Sequence, residues 1–567
     1  MSHRSVAALA EILYQKGIRN VIISPGSRSA PITLAFARHP GFRKFVILDE
    51  RSAGYTGLGM SQVLNQPVVL VCTSGTAAIN FYPAIAEAFY LQVPLVILTA
   101  DRPPEWIDQH DGQTIHQEAL YQNHIKGFYT FPQEDQLPDV KWHIERIVSE
   151  AVNQSLDFPR GPVHINMPFR EPLYPPSPSG AKQDFTTRLK MIRKLESLSS
   201  VTDSSWNELS KTWDQSGKVL IVGGQLRLDP GMLNALNEFV LKFHVPVVGD
   251  AISNLHGLGQ NLITYGDPVL WSRDEGIQES LRPDLLISFG KSIITKNLKL
   301  FLRRFKPLQH WHLQPAGYVP DPFQTMTTEI PVDPGSFFGM ALDKFKSSGS
   351  RKDYLHIWED HEKTAEKKVK SFFPAEEFNE LEAVFMVLKH LPDHILLHLA
   401  NSMPVRLVNF LGGLKPGMEI FANRGTSGID GCVSTAVGTA IQSDKLNVLI
   451  TGDMSFFYDR NAFWHDQIPG NMHIVMLNNH GGGIFRMIDG PSEMPEFEKY
   501  FETCQPLSAG NLAGEYGFEY RECHTREALK ENLETFFRPA KKLKILEIQT
   551  ESKTNKTIFD QFKTQFY

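Results

Sequence analysis

Residues 446–455 read Leu446-Asn-Val-Leu-Ile-Thr-Gly-Asp-Met-Ser455, and residues 473–482 read His473-Ile-Val-Met-Leu-Asn-Asn-His-Gly-Gly482. Each is a short apolar run that ends abruptly in small and polar residues, the pattern of a strand buried on both faces. In a parallel sheet both polar ends lie at the carboxyl edge, where open α/β sheets bind ligands. Asp453 and Asn479 each present a side-chain oxygen there, and the main chain near Gly481 can add a third. Mg2+ takes about six oxygens at ~2.0–2.1 Å and completes its shell from water and phosphates. This donor set therefore leaves room for a diphosphate. The helix after Ser455 and the glycines after Asn479 offer backbone N–H groups to the same anion. A Gly-Asp turn and an Asn pair also serve simply to cap strands, and these two segments alone do not decide between the readings.

Working outward, similar runs recur along the whole chain. His394–Ala400 and Met418–Asn423 precede the two segments, in a domain that begins near Pro374. Before it stand Lys218–Gly224, Val245–Asp250 and Asp284–Gly290, closed off by the charged, Ser-rich stretch Lys344–Asp353. At the front, Val6, Leu9 and Leu13 mark one face of a helix stopped by Gly17. The runs Asn20–Ser24, Phe45–Leu48, Val68–Cys72, Leu95–Thr99 and Val163–Asn166 follow. The Pro-rich segment Pro172–Gly180 sustains neither helix nor strand and reads as a linker. Strands alternating with helices predict three doubly wound α/β domains with parallel sheets, at 1–180, 190–350 and 374–567. The first and third share an architecture.

The 567 residues suit three or four domains at about 150 residues each. A net charge of −6 argues against nucleic acid or an anionic membrane as partner, so bound anions must be held by local basic residues. No stretch approaches ~18 consecutive apolar residues, and the N-terminus lacks a signal-peptide core. Cys72, Cys432, Cys504 and Cys523 have no metal-ligand spacing and read as reduced thiols. A cytoplasmic protein is expected.

The strand Phe45–Leu48 runs into Asp49-Glu-Arg-Ser-Ala-Gly54. A lone Glu at a strand end is most often a solvated cap or one half of an ion pair. Together with the Gly-Asp and Asn-Asn segments it resembles the thiamine-diphosphate enzymes. Their diphosphate signature is Gly-Asp-Gly followed after about two dozen residues by Asn-Asn. Here 24 residues separate Met454 from Asn479, and Met454 stands in place of the last glycine. In that family a glutamate at the position of Glu50 hydrogen-bonds the coenzyme pyrimidine. It favours the imino tautomer that takes the proton from the thiazolium carbon, and an apolar slot raises its pKa to suit. The resemblance implies thiamine diphosphate with Mg2+, or Mn2+ in its place. Asp453, Asn479 and Gly481 would hold the metal, and Ser455 would join them on the coenzyme. In Asn423-Arg-Gly-Thr-Ser-Gly-Ile-Asp-Gly431, Gly425 and Ser427 would line the pyrimidine and Ile429 would wedge the coenzyme into its bent form. Ile429 is equally readable as an ordinary core residue. Because the family shares one coenzyme between domains of different subunits, the resemblance implies a homodimer or a dimer of dimers.

Several segments match more narrowly, in order: Ser24-Pro-Gly-Ser-Arg-Ser-Ala-Pro31, Cys72-Thr-Ser-Gly-Thr-Ala77, Leu98-Thr-Ala-Asp-Arg-Pro-Pro-Glu105 and Asn423–Gly431. They are similar to the 2-succinyl-5-enolpyruvyl-6-hydroxy-3-cyclohexene-1-carboxylate synthases of menaquinone biosynthesis. The resemblance implies a transferase that decarboxylates 2-oxoglutarate and adds the succinyl carbanion equivalent to isochorismate. Both substrates are dianions, and arginine pairs with carboxylates bidentately without losing its charge. The positions so implied are Ser27, Arg28, Arg102 and Arg424, with Ser402 and Arg406 on the succinyl carboxylate. Gln113, in Asp111-Gly-Gln-Thr-Ile-His-Gln117, matches a polar residue near the reacting carbons. Lys296 reaches in from the middle domain, and His116 is a further candidate contact. For each basic residue a surface salt bridge is the alternative.

Two other readings stand beside this one. An acetolactate-synthase-like carboligase predicts a nucleotide site in the middle domain and apolar residues at positions 28, 406 and 424. A non-catalytic binding module predicts loss of the glutamate or the metal ligands, and Glu50, Asp453 and Asn479 are all present.

Overall fold

Buried β-rich runs and the helices between them set the architecture. The computed structural model describes residues 3–133, 137–174, 189–373, 377–488 and 490–567. The first sheet holds β1 (Asn20–Ile23), β2 (Arg43–Val46), β3 (Val68–Cys72), β4 (Leu95–Asp101), β5 (Phe128–Thr130) and β6 (Val163–Pro168). The second holds β7 (Val219–Gly223), β8 (Val247–Gly249), β9 (Leu262–Ile263), β10 (Leu285–Phe289), β11 (Gln309–Leu313) and β12 (Thr328–Ile330). The third holds β13 (Leu396–Leu399), β14 (Glu419–Phe421), β15 (Asn447–Gly452), β16 (Met472–Asn478), β17 (Glu519–Cys523) and β18 (Lys544–Gln549).

Every pairing among the described strands is parallel, and the orders are β2-β1-β3-β4-β6-β5, β12-β11-β10-β7-β8-β9 and β14-β13-β15-β16-β18-β17. The first and third sheets thus have one topology, as expected from the sequence, and the second has another. The linker Pro172–Gly180 lies outside the described residues from position 175 on, as does the boundary at Pro374.

Sequence patterning missed the polar strands. β18 is central, yet it reads Lys-Ile-Leu-Glu-Ile-Gln, with Lys544 and Glu547 both buried. Glu547 is tolerated because Asn478, Ser508, the Ala509 N–H and Tyr520 all donate to its carboxylate. Conversely, the run expected at Phe45–Leu48 leaves the sheet at Val46, and Val46 and Leu48 are 51% and 48% exposed.

Topology fixes where ligands can sit. In the first sheet the strand order reverses between β1 and β3, and in the third between β13 and β15. In the second sheet the reversal lies between β7 and β10, where backbone closes the crevice. The Gly224 N–H donates to the Phe289 carbonyl at 2.9 Å, and that of Lys291 to the Gln225 carbonyl at 3.0 Å. A Cβ on Gly224 would lie 2.3 Å from the Lys291 carbonyl.

The units pack closely. Helix Glu50–Leu64 of the first crosses helix Cys432–Ile441 of the third, where a Cβ on Gly59 would stand 1.9 Å from the Thr435 carbonyl. Trp271 of the second unit packs against Phe410 and Phe566 of the third, at 5.1 and 5.4 Å between ring centroids. Among the described residues no helix is long and apolar enough to cross a membrane.

Asp459 fastens the start of helix Cys432–Ile441, accepting from the Ser434 N–H at 2.6 Å and its hydroxyl at 2.7 Å. Burial pushes its carboxyl from the ordinary 3.8 up to about 7. The folded chain therefore retains a proton that the unfolded chain has lost. This contribution to stability is full below about pH 4 and vanishes as pH rises through about 7. Asp459→Asn should flatten the fall in stability over that range by up to about 4 kcal/mol. Denaturant melts of both proteins across the range would check it, and parallel curves would contradict it.

Candidate active site

At the reversal point of the third sheet, β15 ends in Gly452 and the next helix begins at once, as Asp453–Tyr458. It starts at Asp453 rather than after Ser455, so Asp453 stands in its first turn. Asp453 is buried, accepts from Gln505 Nε2 at 2.6 Å, and burial pushes its carboxyl up to about 6. The neighbouring strand β16 ends in Asn478, which bonds Glu547 and the Leu507 carbonyl and so faces inward. Asn479 then turns the other way. Its Nδ2 donates to Glu380 Oε1 at 2.6 Å, and its Oδ1 accepts from the Gly481 N–H at 3.2 Å.

Glu380 is buried in the first turn of helix Glu380–His390. Burial, with the Asp453 charge adding, pushes its carboxyl up to about 7. The chain beyond Asn479 is tight. His480 takes a φ of +63°, and a Cβ on Gly481 would meet the Glu502 carbonyl at 2.9 Å.

These residues fit a divalent cation. Asp453, Asn479 and a main-chain carbonyl are hard oxygen donors, and two buried carboxyls in each other's field gain from positive charge between them. Among the described residues no cluster of three His, Cys, Asp or Glu forms a closed cage. A cation here would thus need phosphate and water oxygens as well.

The loop Asn423–Gly431 lies over the same edge. Ser455 Oγ donates to the Ile429 carbonyl at 2.9 Å, which joins the loop to the Asp453 helix. Ile429 itself is only half-buried, unlike a packed core residue. Asn401, at the end of β13, donates to the carbonyls of Asn423 and Gly428, both at 2.6 Å. Glu87 of the first unit is buried and accepts from the Gly425 N–H at 2.7 Å and from the Thr426 N–H and hydroxyl at 2.7 and 2.5 Å. Ser427 takes a φ of +64° between these anchors.

Glu50 opens the helix that Asp49 caps through the Arg51 and Ser52 N–H groups. Its carboxylate accepts from Asn80 at 3.5 Å, and burial raises its pKa. On either side, Asp49 accepts from Asn461 at 2.8 Å and Arg51 donates to the Tyr458 carbonyl at 2.8 Å. Those partners lie at and just beyond the far end of the Asp453–Tyr458 helix. Within one chain, among the described residues, no hydrogen bond or ion pair joins Glu50 to Asp453, Asn479 or Ile429.

The basic residues fall into two groups. At the carboxyl edge of the first sheet, Ser27 and Arg28 follow β1. Arg28 is buried, donates to the Phe169 carbonyl at 3.1 Å and lies 3.6 Å from Glu171. Arg102 follows β4 and pins the next loop through the Gly112 carbonyl at 2.8 Å and Asp111 at 3.1 Å. The Gln113 backbone of that loop packs on Gly75. His116 pairs with Asp108 at 3.0 Å on the exposed surface.

The second group lies between the middle and third units. Arg406 donates to the Ser402 carbonyl at 2.5 Å, and Arg424 to Asn401 Oδ1 at 2.9 Å. Both are half-buried. Burial lowers both pKa values, and the Arg424 charge lowers that of Arg406 further. Among the described residues neither closes a salt bridge, and Arg424 Nε is buried without a partner. Lys296 is exposed and follows Thr295, whose N–H donates to the buried Asp250 at 3.3 Å.

Glu87, Asn401 and Glu380 were not anticipated from the sequence. A lone acid in the apolar helix Tyr82–Leu91 was the one available signal, for Glu87.

Residues 4–120 match the family model described as "Thiamine pyrophosphate enzyme, N-terminal TPP binding domain". Residues 186–399 match "Middle domain of thiamine pyrophosphate". The chain is 45% identical over 561 residues to the 2-succinyl-5-enolpyruvyl-6-hydroxy-3-cyclohexene-1-carboxylate synthase of Cytophaga hutchinsonii, covering 99% of this chain and 98% of that one. Proteins of the same name from Porphyromonas gingivalis and Flavobacterium johnsoniae are 37% and 38% identical. They cover 99% and 98% of this chain, and 97% of each relative is matched.

Proposed function

Since the chain belongs to the 2-succinyl-5-enolpyruvyl-6-hydroxy-3-cyclohexene-1-carboxylate synthases, a family of thiamine-diphosphate enzymes, we propose that it decarboxylates 2-oxoglutarate and adds the succinyl unit to isochorismate. The products are the compound for which the family is named and CO2, in menaquinone biosynthesis. The observation that carries this reading is the pair Arg406 and Arg424, two half-buried guanidiniums that feel each other's charge and, among the described residues, close no salt bridge, with Asp267, Asp250 and Glu87 acting on them only through the field. Like charges placed so are costly unless an anion arrives between them. An acetolactate-synthase-like carboligase, whose 2-oxoacids carry no second carboxylate, would line this place with apolar residues.

Thiamine diphosphate, when bound, supplies the carbon nucleophile and the electron sink for decarboxylation. The chain does the rest. Asp453, Asn479 and the Gly481 carbonyl would hold Mg2+, or Mn2+, with the diphosphate, and Ser455 would join them on the coenzyme. Gly425 and Ser427 would line the pyrimidine, and Ile429 would support the coenzyme. Glu50 shares a proton with the pyrimidine nitrogen, a role that suits a carboxyl whose pKa burial raises. Ser402 and Arg406 hold the succinyl carboxylate. Ser27, Arg28, Arg102, Arg424 and Lys296 receive the remaining carboxylates, and Gln113 stands near the reacting carbons. On this reading residues 1–180 bind the pyrimidine, 190–350 form the central domain, and 374–567 bind the diphosphate.

The site is completed by a second copy. Around Glu50 the first and third units expose Val46, Leu48, Ile79, Tyr458 and Trp464. Apolar surface beside a half-buried acid is the kind of face a partner subunit covers. A homodimer, or a dimer of dimers, would bring the Glu50 of one protomer to the Asp453 of the other. On this reading the enzyme works in the cytoplasm, as expected from the sequence.

The test is turnover. With thiamine diphosphate, Mg2+ and 2-oxoglutarate, isochorismate should disappear as CO2 is released. Formation of acetolactate from pyruvate instead would overturn the assignment. Arg406→Ala should lower kcat/KM for 2-oxoglutarate by about 10- to 100-fold, the worth of a charged hydrogen-bonded pair. An unchanged value would remove Arg406 from the substrate site.

A further inference from the structure

Asn479 can serve a cation only if its amide oxygen, not its nitrogen, faces the metal, and nothing in an amide's own shape chooses between the two. The surrounding structure makes that choice at both amide atoms: the Gly481 N–H donates to Oδ1 at 3.2 Å, and Nδ2 enters a closed ring of hydrogen bonds. From the end of β16 the Asn478 carbonyl accepts from the Thr550 N–H at 3.0 Å. Thr550 Oγ1 accepts from Asn555 Nδ2 at 3.0 Å, and Asn555 Oδ1 accepts from the Glu380 N–H at 2.9 Å. Glu380 Oε1 then accepts from Asn479 Nδ2 at 2.6 Å, which returns the ring to the residue after Asn478. Glu380 is thereby fixed at its backbone, by Asn555, and at its carboxylate.

A buried carboxylate facing an amide, with the Asp453 charge nearby, is an expensive way to fill space. A leucine would pack and a glutamine would hydrogen-bond at lower cost. In the bond observed Glu380 Oε1 is the acceptor and Asn479 Nδ2 the donor. A glutamine could turn either an oxygen or an NH2 group to the same place and so take the amide in either orientation, whereas a carboxyl offers no N–H to a flipped amide oxygen. We propose that Glu380 is a positioning residue that locks the Asn479 amide with its oxygen toward the divalent cation. This rests on the metal-binding reading of Asp453 and Asn479 given above. Glu380 touches neither coenzyme nor substrate in this role; it acts through Asn479.

Binding, rather than turnover, isolates the effect. Mn2+ binding to the full-length protein saturated with thiamine diphosphate can be counted by electron paramagnetic resonance. Glu380→Gln keeps size and one acceptor but adds a donor that permits the flipped amide. Mn2+ binding should weaken about tenfold, the low end for loss of a group that orients a metal ligand. Exchanging the two side chains, as Glu380→Gln with Asn479→Asp, reverses the hydrogen bond and returns an oxygen to the cation. This double variant should recover to within about threefold of the native chain. A merely structural Glu380 gives a different pattern, because the isosteric glutamine would then bind Mn2+ like the native protein. That result would overturn the proposal, as would a double variant no better than Glu380→Gln alone. Melting of the ligand-free variants shows that each is folded. Failure of the native protein to bind Mn2+ with the coenzyme would instead withdraw the metal-binding reading itself, and this inference with it.

Discussion

Replacing Glu50 by glutamine is expected to leave coenzyme and cation binding within a few-fold of native while lowering turnover by at least about a hundredfold. The change is isosteric, and the Asp49 cap that starts the helix is untouched, so the fold should persist. What disappears is a carboxyl able to share a proton with the coenzyme pyrimidine. Burial raises its pKa, which brings it closer to the nitrogen it faces than an ordinary glutamate would be. The direct readout is hydrogen–deuterium exchange at the thiazolium carbon of bound coenzyme, quenched in acid and read by NMR. Exchange should slow in proportion to turnover. Near-native exchange would remove Glu50 from the role given to it.

The second large effect concerns the opposite end of the coenzyme. Asp453→Asn should abolish the rise in melting temperature that thiamine diphosphate with Mg2+ produces in the native protein. Without ligands, the variant should be as stable as the native chain or more so. The Asp453 carboxyl, pushed up to about 6, is ionised at neutral pH against the cost of its burial, and an amide escapes that cost. This pairing of lost ligand response with retained apo stability separates a metal ligand from a structural acid. Loss of stability with the ligand response intact would contradict the assignment.

The sequence made the strand ends legible because the parallel strands there are apolar until the residue that matters. β15 and β16 run as Asn-Val-Leu-Ile-Thr-Gly and Met-His-Ile-Val-Met-Leu-Asn, and the polar groups follow at once. β18 was hidden for the converse reason: Lys544 and Glu547 lie inside a central strand, satisfied by partners that no local pattern announces. The supports of the site were hidden too. Glu380 and Asn479 are 99 residues apart, and Glu87 and Gly425 are 338 apart. Contacts at such separations leave no periodicity, only a single acid among helix residues. The two arginines were legible as charges, but not as neighbours that close no salt bridge among the described residues; that required β13 and β14, which they follow, to pair in one sheet.

The central claim is that one coenzyme is held by Glu50 of one protomer and Asp453 of another. Co-expressed chains carrying different tags, one with Glu50→Gln and the other with Asp453→Asn, allow the hybrid dimer to be purified and assayed. Each parent homodimer is expected to be inactive. In the hybrid, a site shared across the two-fold axis joins the intact Glu50 of one chain to the intact Asp453 of the other, so about half of native activity should return. A hybrid as inactive as its parents would show that each site is built within one chain, and would contradict the account.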